Sequence, residues 1–159
     1  MNTMYLDMTD NSCTSVFIKN TRIIPAGTTI YAMPVKDKCD AYDFLADKYN
    51  IHFIFDDNIP TIDFYAIPRI DIMATDGAGG FLGTLGEISD LNGQAPICYI
   101  DNDKNSYVIA ADFRDLLNHP DNWREHALPC KEITLFSSKA EAMKKHKFVD
   151  LSAFPENTS

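Results

Sequence analysis

The residues best placed to do chemistry gather in two short loops. The first is Asp76-Gly77-Ala78-Gly79-Gly80-Phe81-Leu82-Gly83. A loop that cradles phosphate closes on Gly-Lys-Ser/Thr, because the lysine neutralises the phosphates and the hydroxyl holds magnesium; neither residue is here. A dinucleotide fingerprint counted from Gly77 would put glycine where Leu82 stands, and no helix follows. Glycine accepts positive φ, so the run reads as a sharp turn between a strand ending near Ala74 and one starting at Gly80. The second loop is Asp101-Asn102-Asp103-Lys104-Asn105-Ser106, which sets oxygens at positions 1, 3 and 5 as a calcium loop does, with Asp112 at position 12. That loop requires glycine where Ser106 stands and a bidentate glutamate where Asp112 stands, and it follows a helix rather than a strand. A polar hairpin turn fits better.

Other chemistry finds little support. His52, His119, His126 and His146 are scattered; His119 and His126 stand seven apart, where metal ligands on one helix face stand three or four apart. Cys13, Cys39, Cys98 and Cys130 form no C-x-x-C pair, which argues against a zinc ribbon or a thioredoxin-type centre. No G-x-S-x-G elbow is present. The many aspartates leave a carboxylate-pair hydrolase open, but no spacing specifies one. No catalytic residue, metal or cofactor is therefore assigned.

Charge is more informative. The net charge of −9 is unevenly placed: between Cys39 and Asp103 twelve acids face only two bases, Lys48 and Arg69. Nucleic-acid binding needs a basic footprint, so this balance argues against it. Acidity of this kind keeps a protein soluble, and it also suits a surface aimed at a basic partner. Asp56 and Asp57, beside the turn at Asn58-Ile59-Pro60, form the acid pair expected to be exposed together; Glu87 and Asp90, beside Asn92-Gly93, form a second. No apolar run approaches a membrane span and no signal peptide is visible at the start, so the chain reads as cytoplasmic with reduced cysteines.

The elements that would position these loops follow from periodicity. At 159 residues and 45% hydrophobic, the chain is long and apolar enough for one domain with a real core. Residues 1–12 read as a loose polar lead-in and residues 153–159 as a frayed tail. Strands are expected over 14–18, 28–33, 51–55, 62–66, 69–74, 80–85, 96–100, 107–110 and 131–136. The alternation of Ile62 and Phe64 with Asp63, and of Ile70 and Ile72 with Asp71, predicts a sheet with one buried face. Ile97-Cys98-Tyr99-Ile100 is apolar on both faces and fits a central strand. Helices are expected over 41–49 with Asp40 as N-cap and Asn50 closing the end, behind Asp112 through Leu117, and from the capping box Ser138-Lys139-Ala140-Glu141 to Lys144-Lys145-His146-Lys147. A short helix opened by Pro120 would carry Trp123 and Ala127. Strands before helices, without regular alternation, predict an α+β fold with a mostly antiparallel or mixed sheet and several short helices.

Three stretches together resemble the SUKH superfamily: residues 70–80 from Ile70 through Asp76-Gly77-Ala78-Gly79-Gly80, then Ala95-Pro96-Ile97-Cys98-Tyr99-Ile100-Asp101, then residues 109–117 with Phe113-Arg114-Asp115-Leu116-Leu117. An apolar strand running into an acid–glycine turn, a "P-(apolar)-(aromatic)" strand, a hairpin and a short "phenylalanine, two residues, leucine-leucine" helix appear in that order. Many relatives begin instead with a longer helix and a leucine-proline signature, whereas residues 1–35 here are strand-rich. The superfamily consists largely of bacterial immunity proteins of polymorphic toxin systems, with a yeast regulator of cell-wall synthesis in the same group. The resemblance implies a domain without catalytic residues that acts by tight protein binding. It also implies that Asp76, Gly77, Gly79 and Gly80 define the fold, the glycines setting the turn and Asp76 holding backbone amides within it.

The expectation is thus a non-catalytic immunity protein that blocks a protein toxin with a basic surface, without nucleic-acid or membrane partners. A small regulatory or scaffolding module is the alternative.

Overall fold

Strand β6 (Ile70–Thr75) organises the architecture of the computed structural model, which describes residues 2–9, 17–85 and 95–150. One edge of β6 pairs antiparallel with β7 (Phe81–Leu85), with a bulge between Ile72 and Ala74. The other edge is divided. Its first half takes β3 (Thr28–Ile30) in parallel, Thr28 opposite Ile70, and its second half takes β4 (His52–Phe53) antiparallel, His52 opposite Thr75. Beyond β7 the sheet continues through β8 (Ile97–Ile100) and β9 (Ser106–Ala110) to β10 (Leu128–Pro129), seven strands in all among the described residues. Ile97–Ile100 is an interior strand buried along its whole length, as its two-sided apolar character predicts.

Two smaller sheets flank this one. β1 (Asn2–Asp7) runs parallel to β2 (Thr21–Ala26), and β5 (Tyr65–Ile67) pairs antiparallel with β11 (Thr134–Phe136). Residues 2–7 are therefore no loose lead-in: Leu6 is 1% exposed, and residues 147–149 bond to Tyr5 on both sides, tying the two ends of the described chain together. The expected strand over 14–18 and the tail from residue 153 fall at or beyond the limits of the described residues.

The protein is a single small α+β domain. Both faces of the large sheet are covered. Met73, Leu82, Ile97 and Tyr99 face one cluster with Phe53, Phe55, Leu116 and Trp123; Ile70, Ile72, Phe81, Cys98 and Ile100 face another with Phe64 and Ile133. The expectation of one solvated face fails here. Asp71 keeps the alternation with Ile70 and Ile72, but it is itself 6% exposed, taking a 2.8 Å hydrogen bond from Thr29 Oγ1 and lying 3.9 Å from the Arg69 guanidinium. A third cluster of Ala26, Tyr65, Ile67 and Ala142 joins the small sheets to the C-terminal helix.

Three helices complete the fold: α1 (Asp40–Tyr49), α2 (Phe113–Asn118) and α3 (Lys139–Lys145). Asn50 closes α1 in the left-handed region, where asparagine is at home. The N-cap of α1 is Cys39, with no side-chain cap bond; Asp40 is already helical, so its carboxylate faces the helix start instead of capping it. Asp112 and Ser138 cap α2 and α3 as their positions predict, accepting from Asp115 N at 2.7 Å and Glu141 N at 3.2 Å. Residues 121–126 are successive turns rather than the expected helix, and what holds them is the buried Trp123, whose indole donates to Tyr49 O at 2.7 Å. No helix among the described residues is long and apolar enough to cross a membrane.

Candidate functional site

The acid–glycine loop is the turn of the β6–β7 hairpin, built around one buried carboxylate. Asp76 is 4% exposed. Its Oδ1 accepts from Ala78 N and Gly80 N, both at 2.8 Å. Its Oδ2 accepts from the Tyr99 hydroxyl at 2.6 Å and from Arg124 Nη2 at 3.0 Å. Burial works against ionisation of Asp76, but the Tyr99 hydroxyl, the two amides and the Arg124 charge outweigh it and hold the carboxyl below the usual range. Burial and the bond to Asp76 push the Tyr99 phenol up, so it remains a donor. Arg124 also covers the rings of Tyr99 and Trp123, at 5.8 and 5.1 Å from their centroids.

The glycines have distinct duties. Gly77 and Gly79 take φ of +75° and +97°, which other residues avoid. Gly80 has no positive φ; what it supplies is space, because a Cβ there would stand 2.5 Å from Asp76 Oδ2 and 2.8 Å from the Tyr99 ring. An ionised carboxylate whose two oxygens meet four donors is placed to hold a turn rather than to move protons.

The second loop is the β8–β9 hairpin turn. Asp101 accepts from Asp103 N at 2.9 Å and Asn105 N at 2.8 Å, and Lys104 sits at φ +66°. Asp101 Oδ1 is thus directed at the loop backbone, and its Oδ2 accepts from Asn105 Nδ2 at 3.2 Å and the Tyr107 hydroxyl at 3.3 Å. Among the described residues no three His, Cys, Asp or Glu side chains come together as a metal-holding group.

The predicted partner-binding residues lie elsewhere. Asp56 and Asp57 are exposed in the turn after β4, which Asp56 N anchors to Met33 O at 2.9 Å. Asp57 pairs with Lys38 at 3.0 Å across the surface, leaving Asp56 without a described ion-pair partner. Glu87 and Asp90 lie outside the described residues. No described hydrogen bond or ion pair joins the Asp56–Asp57 turn to the Asp76 turn, so the two sets of candidates are separate.

The segment from residue 31 to residue 59, which includes Asp56 and Asp57, has a marked composition. Asp37, Asp40, Asp43 and Asp47 are exposed on the segment that leads into and forms α1. Tyr31, Val35, Phe44 and Ile59 are four of the eight large apolar side chains exposed among the described residues, and all four fall between residues 31 and 59. The lysines of this segment are partly engaged: Lys38 holds Asp57, and Lys48 lies over the rings of Phe44 and Tyr49 at 5.4 Å.

Periodicity missed the supports of Asp76. Only Lys48 and Arg69 fall in the acidic window, and Arg69 is spent on Asp71, so a cation for a buried Asp76 had to come from outside it. A second network was missed too: Asp7 accepts from the Tyr65 hydroxyl at 2.7 Å, Thr9 Oγ1 at 2.7 Å and Lys139 Nζ at 2.9 Å. Burial opposes the charge on Asp7, but these donors prevail and bring its carboxyl to about 2.

Comparison of the chain with known protein families, with curated proteins and with solved structures finds no match in any of the three.

Proposed function

We propose that the protein is a non-catalytic binding module that neutralises a basic protein by covering it, in the manner of an immunity protein against a cognate toxin in the cytoplasm of the producing cell. The observation that carries this reading is the strip between residues 31 and 59, where exposed Tyr31, Val35, Phe44 and Ile59 are interspersed with exposed aspartates. Exposed apolar side chains rimmed by charge are the composition of a protein-binding patch, the apolar part supplying affinity and the charge supplying orientation and speed of encounter. Toxins that attack nucleic acid carry cations to hold phosphates, and carboxylates presented in their place would both attract and block them. The resemblance of residues 70–80, 95–101 and 109–117 to the SUKH superfamily supports the same reading. The buried state of Asp76 agrees with a structural duty for that motif.

The test is protection and binding together. A toxin encoded beside this protein's gene should lose its activity on co-expression, and the Asp56→Lys/Asp57→Lys double variant should associate with it more slowly while melting at nearly the same temperature. A regulatory scaffold would bind a host protein through the same strip and give no protection. Protection that is unchanged by the double reversal and by Phe44→Ala would remove the strip from the account.

A further inference from the structure

Where the two small sheets meet the end of the large one, the surface opens into a half-open cleft of about 690 Å³, within the roughly 300–1,000 Å³ typical of small-molecule sites. Its walls are Ile24 and Pro25 of β2, Ile67 and Pro68 after β5, and Leu85 and Pro96 at the ends of β7 and β8. Pro25, Pro68 and Pro96 have no amide to donate, so the backbone of this wall is short of donors while its side chains are apolar. Tyr5 and His146 close one side. The imidazole is gripped edge-on by Tyr5 at 4.8 Å and Phe136 at 5.6 Å between ring centroids, so it is oriented rather than free to swing.

The polar groups at this cleft are few. Arg22 is exposed and takes no ion pair with a described residue, and the same holds for Glu132. Asp7 is tied to Lys139 and Glu141 to Lys144, whereas Lys131, Lys145, Lys147 and Arg22 have no carboxylate partner among the described residues. The molecule is acidic overall, yet the lining residues Glu132 and His146 are flanked in sequence by Lys131, Lys145 and Lys147.

The geometry points to a binding site for a small amphipathic anion, with its apolar body against the proline-lined wall and its carboxylate toward Arg22 and His146. An apolar body alone would satisfy the wall and leave the guanidinium with water only. A carboxylate gives Arg22 a planar partner matched to its fork of donors. Glu132 would repel a second negative charge, so a monoanion fits better than a dianion. This site is independent of the proposed toxin-binding strip and stands or falls without it.

The experiment uses the full chain and three probes of equal tail length below their micellar concentrations: decanoate, decanol and decyltrimethylammonium. Amide shifts in ¹⁵N-labelled protein locate binding, and titration gives the affinities. Decanoate should shift Tyr5, Ile24, Ile67, Thr134 and His146 and leave α1 unmoved, and it should bind at least about tenfold tighter than the other two. Arg22→Glu should lose that preference, and Arg22→Gln should lose most of it. Both replace an exposed side chain, and a melting temperature matching wild type confirms that each is folded. Equal affinity for the three amphiphiles, shifts confined to other regions, no binding of decanoate, or an unchanged preference in both Arg22 variants would each overturn the assignment.

Discussion

Asp56–Asp57 and Asp76 are aspartates in turns at the ends of strands that pair with each other, β4 with β6, and they meet opposite fates. Asp76 is 4% exposed and surrounded by donors; Asp56 and Asp57 are exposed, and the only described ion pair of either is a surface lysine. The difference lies in what the turn can offer. After β6, glycines free backbone amides to point inward, and Tyr99 and Arg124 close over the carboxylate. After β4, no glycine turns the chain and no donor from another described strand reaches across. Charge counted along a sequence is therefore not charge on a surface. Among the described acids of the window, Asp71 and Asp76 are buried and matched by Arg69 and Arg124, so they add little to the field a partner would meet.

The largest effect is expected at the buried member. Asp76→Ala leaves the Tyr99 hydroxyl and two amides without an acceptor and Arg124 without its counter-charge, and should cost about 3 kcal/mol in urea unfolding. A loss below about 1 kcal/mol would show that the hairpin holds without its carboxylate. Gly80→Ala comes next. Its Cβ would press on Asp76 and Tyr99, at an expected cost of about 2–3 kcal/mol from overpacking. Gly79→Ala meets only the movable Asn102 side chain but keeps a φ of +97°, for about 1–2 kcal/mol of backbone strain. A reversed order at positions 79 and 80 would mean that backbone conformation, not space around Asp76, governs this turn.

These two fates were unequally legible beforehand. The caps at Asn50, Asp112 and Ser138, the β6–β7 and β8–β9 hairpins and the interior strand Ile97–Ile100 are local, set by residues within a few positions of one another, and the sequence pattern contains them. The networks are not local. Arg124 reaches Asp76 from 48 positions away, Tyr65 reaches Asp7 from 58 and Lys139 from 132. The polar lead-in reads as loose because Asn2, Thr3 and Asp7 carry no periodic signal; the parallel pairing with β2 is what makes it a strand. The same gap hid the burial of Asp71, since alternation gives the two faces of a strand but not whether the second is covered. At the candidate site, exposure of Asp56 and Asp57 was readable from the neighbouring turn, whereas the apolar side chains among the acids became visible only with the fold.

Acid titration extends the comparison at lower amplitude. The folded-state carboxyl of Asp7 falls to about 2 from an ordinary 3.8, and that of Asp76 is also depressed. A depressed carboxyl stabilises the fold fully above the unfolded value and loses that contribution as pH falls through the folded one. Urea midpoints should therefore be level above about pH 5 and drop between about pH 4 and 2. Asp7→Asn should make that drop shallower. Identical acid profiles for wild type and Asp7→Asn would contradict the network described for β1, β5 and α3.

The smallest effect on stability is expected at the exposed pair, and it carries the functional account. Asp56→Lys/Asp57→Lys breaks one surface ion pair and should shift stability by no more than about 0.5–1 kcal/mol. Its consequence belongs to association. The decisive measurement is the stopped-flow association rate with the basic toxin proposed as partner, for wild type and double variant, from about 50 to about 500 mM salt. The account predicts that the wild-type rate falls steeply as salt rises, and that the variant starts slower and depends on salt much less. Rates that coincide for the two proteins and stay flat across that range would contradict an acidic surface steering a basic partner.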